Sequence, residues 1–383
     1  MFKRLLSAKD AHGILLNLIR PVAGTEVCSL EASSGRVLSS DVVSSVDLPG
    51  FPRAAMDGFA VKAEETRGAR FSAPVYLHHF LGVRTGMAVP ADFDAVIMLE
   101  DSARRSDLLE ARAEMHPGRN VSLVGEDIRR GDVVYSRGHR LRPPDLALLA
   151  ALGNESAAVF RKPRIAIIPT GGELVSCGAR ELRPGEAYEV NGLMAQIYVS
   201  LWGGFPLRHG IVPDDKMQIG QALVSALHAD MVILIGGTSV GERDYAPQVL
   251  GELGELLVHG IRMQPGKPSS FGRVKSKPVI CLPGYPVAAL AALYLFVRPA
   301  VKRMAHLPEE QPMQLARLSR KIASRAGYES IVRVALRGGE AEPIMTSGAG
   351  ILSSVARADG FVVVPEELEG LEAGEEVEVN LFE

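Results

Sequence analysis

The sequence predicts a multidomain α/β plus β fold. It has a central doubly wound α/β/α domain, a helical N-terminal domain with an inserted β-rich domain, and a small C-terminal β-barrel. Three observations carry that expectation. Between residues 163 and 306, short apolar runs alternate with helical patterns, as in a parallel sheet flanked by helices. Between 44 and 137, short β-like runs are punctuated by glycine and proline. After residue 312 the apolar runs are strand-like, with turns between them.

Residues 7–20 have helical spacing, with Ala11, Ile14, Leu15, Leu18 and Ile19 on one face. The β-like runs that follow include Phe59-Ala60-Val61, 95–99 and Val133-Val134-Tyr135. A helix returns over 143–152, with Pro143-Pro144 at its start and Gly153 at its stop. The simplest organisation makes 1–43 and 138–162 one helical domain, interrupted by a β-rich domain over 44–137. Arg161-Lys162-Pro163 marks the next boundary. Strands are expected at 165–168, 207–212, 231–235, 256–261 and 279–282, and helices at 191–202, 215–228, 245–253 and 286–304. Residues 306–312 read as a linker. The segment 312–383, with strand-like runs at 331–336, 361–364 and 377–381, reads as a small barrel or sandwich.

With 47% hydrophobic and 23% charged residues, the chain has an ordinary soluble globular composition. A net charge of −3 gives no support to a nucleic-acid partner. Cys28, Cys177 and Cys281 lie far apart, forming neither a zinc pattern nor a disulfide framework, which fits a reducing cytoplasm. The stretch MFKRLLSAKD lacks the apolar core of a signal peptide. The run 287–297 is too short to span a bilayer and ends at Arg298-Pro299, so no membrane partner is expected.

The loop Gly236-Gly237-Thr238-Ser239-Val240-Gly241-Glu242-Arg243-Asp244-Tyr245 is the most informative stretch. A strand that ends in glycines and hydroxyls and then opens a helix is built to hold an anion. Its backbone N–H groups can approach an oxyanion, and the helix N-terminus adds partial positive charge. Glu242 and Asp244 have the wrong sign for an anion, which points to a divalent metal between carboxylate and phosphate. No Lys-Ser or Lys-Thr follows, so this is not a Walker loop, and the third glycine is misplaced for a dinucleotide fingerprint.

Ligands of such sheets bind at the carboxyl ends of the strands, and three more loops fall there. In Thr170-Gly171-Gly172-Glu173 the hydroxyl and amides suit a phosphate and Glu173 a hydroxyl or ring N–H; an ordinary strand end reads equally well. Asp214-Asp215 also reads as the N-cap pair of the next helix. Leu282-Pro283-Gly284-Tyr285-Pro286 is the third. Lys267, held between Pro265-Gly266 and Pro268, suits an oxyanion. In the β-rich segment, Met56-Asp57-Gly58 fits a tight turn with Asp57 bonding the backbone. Thr85 and Asp127 sit in loops that are unremarkable alone, and His78-His79 has no partner at metal-ligand spacing.

Together these pieces resemble the molybdopterin molybdenumtransferase family of the MoeA type. The likeness runs in the family's order through LPGFPRAAMDGFAV (48–61), RTGMAVP (84–90), GEDI (125–128), RPPDLALLAALG (142–153), KPRIAIIPTGGELV (162–175), EVNG (189–192), GGTSVGERDY (236–245), PGKP (265–268), LPGYPVAA (282–289) and TSGAGILSSVARADGFVVVP (346–365). The resemblance implies an elongated homodimer, with its cleft between the α/β domain of one subunit and the β domain of the other. It implies a reaction of adenylated molybdopterin with molybdate and Mg²⁺ that cleaves the phosphoanhydride, releases AMP and places molybdenum on the dithiolene sulfurs. Molybdopterin adenylyltransferase would act upstream and apo-molybdoenzymes would receive the product.

By position, the resemblance puts catalytic roles on Asp57, Glu173, Asp214, Asp244 and Lys267. Ligand binding falls on Thr85 and Asp127, on Thr170 and Gly171, on Gly236, Gly237, Thr238, Ser239 and Gly241, and on Pro283 and Gly284. Asp244 and Glu242 would hold Mg²⁺. The sequence departs from the family pattern at Ala54, Phe59, Gly172, Glu189 and Gln264. Gly172 removes a carboxylate and Gln264 a cation. Arg262 is expected to take over the lost charge, because residues two apart on a strand face the same side. The departures keep open a diverged member that acts on tungstate, or a non-catalytic carrier or scaffold for molybdopterin.

Overall fold

The computed structural model describes residues 5–237, 245–344 and 351–383. The chain divides into two units, residues 27–159 and residues 1–26 with 160–383. Strand β1 (Leu6–Ser7) leads into α1 (Ala8–Leu18), whose N-cap Ser7 accepts from the Asp10 N–H at 3.0 Å. This helix, expected in a helical N-terminal domain, packs within the larger unit. Ala8, Ala11, Leu15 and Ile19 share a core with Trp202, Ile233 and Phe296, and β1 pairs in parallel with Ile261 and Arg262. The apolar stripe of α1 finds its buried partners in the α/β unit, so the helix belongs there.

In the smaller unit, β2 (Gly58–Val61) pairs antiparallel with β3 (Leu81–Val83) and β4 (Ala95–Met98). A Cβ on Gly58 would strike the carbonyl of Ile97, so only glycine closes this pairing. Helix α2 (Pro143–Ala151) starts at its two prolines, and Gly153 follows it at φ 83°.

Asp145, only 2% exposed, anchors the start of α2. Its carboxylate accepts from the Arg142 N–H and guanidinium, lies 2.8 Å from His139 Nε2, and accepts from the Tyr135 hydroxyl at 3.2 Å. The Arg142 side chain leads in holding the Asp145 pKa far below the usual carboxylate range, against the opposing effect of burial. Stability from a depressed carboxylate is complete above its unfolded pKa of about 3.9 and is lost as pH falls through the folded value. Asp145→Asn should therefore lower Tm most near neutrality, with the gap to the parent narrowing below about pH 4. Calorimetry showing a pH-independent gap would refute the role of the charge.

In the larger unit, the six-stranded sheet has the order β6-β5-β7-β11-β10-β8. Its strands are β5 (Arg164–Pro169), β6 (Phe205–Arg208), β7 (Met231–Ile235), β8 (Glu255–His259), β10 (Ser270–Val274) and β11 (Lys277–Leu282). The first four in spatial order are parallel, and β10 and β8 form an antiparallel edge. Helices α3 (Asn191–Leu201), α4 (Lys216–Ala226) and α5 (Tyr245–Leu253) are joined by a long helical run of α6 (Pro286–Ala292), a π turn at Leu293–Val297 and α7 (Arg298–Met304). Along β5, Ile165 and Ile167 face a core shared with α3 and the α6–α7 run. Ala166 and Ile168 face a second core with α4 and α5, so both sheet faces are covered.

The single strand expected over 256–261 is two strands in different sheets. β8 ends at His259, Gly260 takes φ 84°, and β9 (Ile261–Gln264) leaves to pair in parallel with β1 and with β13 (Glu329–Arg337). A closed barrel follows. β13 pairs with β14 (Glu340–Pro343), then β12 (Met313–Leu318), then β16 (Glu376–Leu381), then β15 (Gly360–Val364), which pairs back onto β13. No helix of the described residues is long and apolar enough to cross a membrane.

Candidate functional site

The carboxyl ends of β5, β7 and β11 bring three of the expected loops together. Thr170 N–H donates to Ile235 O at 2.7 Å, Gly236 N–H to Leu282 O at 3.0 Å, and Gly171 N–H to Val212 O at 3.1 Å. Gly236 takes φ 101°, and a Cβ there would run into the carbonyl of Thr170, so the two strand ends approach closely only with glycine. Gly284 packs beside Gly236, and Gly237 lies against Thr170 Oγ1. The Glu173 carboxylate folds back over Gly171. Asp214 and Asp215 separate in role. Asp215 caps α4, accepting from the Gln218 N–H at 2.9 Å, while Asp214 stays exposed at the end of the loop from Val212.

Lys267 lies in a second part of the same unit, a cleft of about 570 Å³ that runs from the turn at 265–268 to the barrel and includes Pro283. The barrel contributes Arg325, Tyr328 and Arg333, which sequence reasoning missed because no local motif marks them. Lys267 Nζ lies 5.9 Å and the Arg325 guanidinium 5.0 Å from the centre of the Tyr328 ring, both within cation–π range. Arg333 is buried, and desolvation pulls its pKa down. No carboxylate stands among the described residues lining the cleft. Lys267, Arg325 and Arg333 give this described lining three cationic side chains, which suit an oxyanion.

Arg262 does not join that lining. Its guanidinium grips Glu366 at 3.0 and 3.1 Å, and Gln264, two residues on, lines the cleft without a charge. The Arg262 donors expected to take over the lost cation are engaged by a carboxylate 104 residues away.

In the smaller unit, Asp57 and Thr85 meet. The Asp57 carboxylate accepts from the Thr85 N–H at 2.7 Å and the Thr85 hydroxyl at 2.8 Å. The backbone bond from Thr85 leads in lowering the Asp57 pKa, so the exposed carboxylate is ionised at neutral pH. Asp127 is exposed, and its N–H donates to Leu48 O at 3.0 Å. Thr238, Ser239, Gly241, Glu242 and Asp244 lie outside the described residues.

An α/β sheet with glycine-rich strand ends and a cationic cleft in the same unit is an arrangement that suits an anionic, phosphate-bearing ligand. Residues 6–153 match the model of the MoeA N-terminal region (domain I and II), 166–303 that of the probable molybdopterin binding domain, and 315–382 that of the MoeA C-terminal region (domain IV). The chain belongs to the MoeA family. It is 35% identical to a putative molybdopterin biosynthesis protein of Methanocaldococcus jannaschii, covering 100% of this chain and 99% of the relative. It is 32% identical to molybdopterin molybdenumtransferase 2 of Mycobacterium tuberculosis, over 91% of this chain and 93% of that one. The crystal structure of a molybdopterin biosynthesis MoeA protein from Pyrococcus horikoshii superposes with a TM-score of 0.84 at 32% identity, covering 99% and 100% of the two chains.

Proposed function

We propose that this chain is a molybdopterin molybdenumtransferase. It takes adenylated molybdopterin and molybdate, cleaves the phosphoanhydride with release of AMP, and places molybdenum on the dithiolene sulfurs. The cleft lined by the three cationic side chains of Lys267, Arg325 and Arg333 carries this reading. Molybdate is an oxyanion, and the departing phosphate gains negative charge as the anhydride breaks. Both need charged donors in a partly desolvated site. Glu173 and Asp214, close to the neutral strand ends, are available for proton handling as molybdate oxygens leave. Among the described residues no three His, Cys, Asp or Glu side chains gather to hold a metal ion. The resemblance assigns the expected Mg²⁺ to Glu242 and Asp244, which lie outside the described residues. An upstream adenylyltransferase would supply the substrate and an apo-molybdoenzyme would take the product.

The test is anaerobic reconstitution of an apo-molybdoenzyme with the protein, adenylated molybdopterin, Mg²⁺ and either molybdate or tungstate. AMP release together with restored enzyme activity is the expected result. Binding of the nucleotide without AMP release would sink it in favour of a carrier.

One observation favours that second reading. Gly172 brings no carboxylate, Gln264 no charge, and Arg262 is engaged by Glu366, so it does not replace the cation missing at position 264. Gln264→Lys should then tighten molybdate binding by about tenfold, the scale of one charge-assisted contact. An unchanged molybdate affinity by calorimetry would show that position 264 does not reach the oxyanion.

The reading includes a homodimer. Leu193, Ile197 and Leu201 form an exposed apolar stripe along α3 at four-residue spacing, with Phe205 exposed just beyond it. A second copy of this chain is the expected cover, with an interface above about 1,000 Å². Ile197→Glu should shift the mass measured by light scattering from two chains to one. A parent that is already monomeric at micromolar concentration would remove the dimer.

A further inference from the structure

The strand-end site contains two buried polar atoms that the fold leaves unpaired. Asn191 opens α3 and is 8% exposed. Its Nδ2 donates to Gly284 O at 2.7 Å. A carbonyl only accepts, so this bond fixes the amide orientation and leaves Oδ1 as a pure acceptor. Oδ1 is buried and has no hydrogen-bond partner among the described residues. The same holds for Thr170 Oγ1, at the end of β5, where the residue is 2% exposed. The two side chains are linked through Gly236, which touches Thr170, and Gly284, which packs on Gly236 and holds Asn191. Buried polar atoms without partners are rare in folded proteins and mark places where a ligand or ordered water completes the bonding; the Thr170 hydroxyl can donate or accept, whereas Asn191 Oδ1 only accepts.

The placement of Asn191 is itself enforced. Glu189, two residues earlier and 2% exposed, accepts from the Gly192 N–H at 2.5 Å and from Arg208 Nη2. Arg208 ends β6, so this ion pair ties the first turn of α3 to the edge of the sheet. A carboxylate on the first-turn amide of a helix is favourable in itself, and the guanidinium neutralises the buried charge.

We propose that Asn191 is a specificity-determining residue that accepts a hydrogen bond from an N–H of the ligand's heterocycle, with the Glu189–Arg208 pair as its positioning device. Molybdate and phosphoanhydride oxygens offer lone pairs only at neutral pH, and Oδ1 repels them. Pterin and purine edges carry ring N–H and amino donors, which Oδ1 matches. At Asn191 the acceptor thereby favours a ring N–H or amino group over an oxyanion oxygen. This inference rests on the proposed function for the identity of the ligand.

Calorimetric titration of adenylated molybdopterin, AMP and molybdate, each alone, tests it. Asn191→Leu is expected to weaken adenylated molybdopterin by about tenfold to a hundredfold, the range for a buried hydrogen bond left unmade, with molybdate affinity kept within about twofold. Glu189→Gln and Arg208→Ala should each give a smaller loss, and the double variant no further loss, as coupled partners require. Where Asn191→Leu fails to fold, Asn191→Ser with a parent-like melting curve carries the same comparison. A parallel loss of AMP affinity assigns the acceptor to the purine, and an unchanged AMP affinity assigns it to the pterin. Parent-like binding of adenylated molybdopterin by a folded Asn191 variant overturns the inference. An equal loss of molybdate affinity also overturns it, since that marks general collapse of the site. A parent that binds AMP but not adenylated molybdopterin sinks the functional reading alone, and Asn191 is then judged on AMP. A parent that binds neither overturns both.

Discussion

Lys267→Ala is expected to lower AMP release by about a hundredfold or more, the loss seen when one donor to a developing oxyanion is removed. The side chain is half-buried in a cleft whose described lining holds no carboxylate, and its ammonium lies 5.9 Å from the centre of the Tyr328 ring, where an oxyanion would meet it. The turn that presents it is held by backbone and hydroxyl bonds that the substitution leaves intact. Lys267 O accepts from the Ile261 N–H at 2.9 Å, and Gly266 O accepts from the Ser269 N–H at 2.9 Å and the Ser269 hydroxyl at 2.7 Å. The variant should therefore melt within about 2 °C of the parent, as surface substitutions do. Lys267→Arg should keep part of the activity, because the charge remains while the point-like ammonium is replaced by a planar fork. AMP release by Lys267→Ala within twofold of the parent, at saturating molybdate, would remove Lys267 from the reaction.

The central sheet was legible because its strands carry their own signal. Met231–Ile235 is buried on both faces and reads as an unbroken apolar run, and the glycines after it mark a close approach that Gly236 makes. The strand-end loops were legible for the same reason, as motifs local in sequence. Contacts made at long range were not. An apolar stripe on residues 7–20 says that the helix is buried, not against what, so its packing with Trp202, Ile233 and Phe296 could not be read from it. The step at Gly260 from one sheet to another leaves no trace in hydrophobic periodicity, since strands on either side are both partly buried. The cationic partners of Lys267 stand on and beside a barrel strand far along the chain, where single arginines look like ordinary surface charge. Arg262 has the correct strand parity for the cleft, yet Glu366 holds it. Asn191 lay within a recognised motif, but only the fold shows that one of its two polar atoms is used and the other is not.

Arg298→Ala is expected to destabilise the larger unit by about 3–5 kcal/mol, the loss typical of removing one partner from a buried ion pair. Arg298 is 2% exposed at the start of α7. Its guanidinium donates to Glu309 O and Glu310 O, each at 2.9 Å, and to the Glu383 carboxylate at 2.9 Å. The Glu383 N–H donates in turn to the Tyr294 hydroxyl at 3.0 Å, and Lys302 lies 3.4 Å from its carboxylate. One side chain thus joins the α6–α7 run, the linker and the residues after β16, and its loss leaves two carbonyls and a carboxylate short of a donor together. Burial pushes the Glu383 pKa up, but Arg298 and Lys302 outweigh it and hold it below the ordinary value. The pair's contribution is therefore complete above the usual carboxylate range and fades as pH falls through the depressed value. Glu383→Gln should be milder than Arg298→Ala, because it leaves the carbonyl contacts in place. The effect reaches the site as well: β13 carries Arg333 and follows Tyr328, so a loosened barrel should weaken molybdate binding in Arg298→Ala below its melting temperature. Calorimetry at neutral pH, with molybdate titrated separately, checks both parts. A loss of less than about 1 kcal/mol would mean that this cluster behaves like a solvated surface pair, and the tie between helix and barrel would have to lie elsewhere.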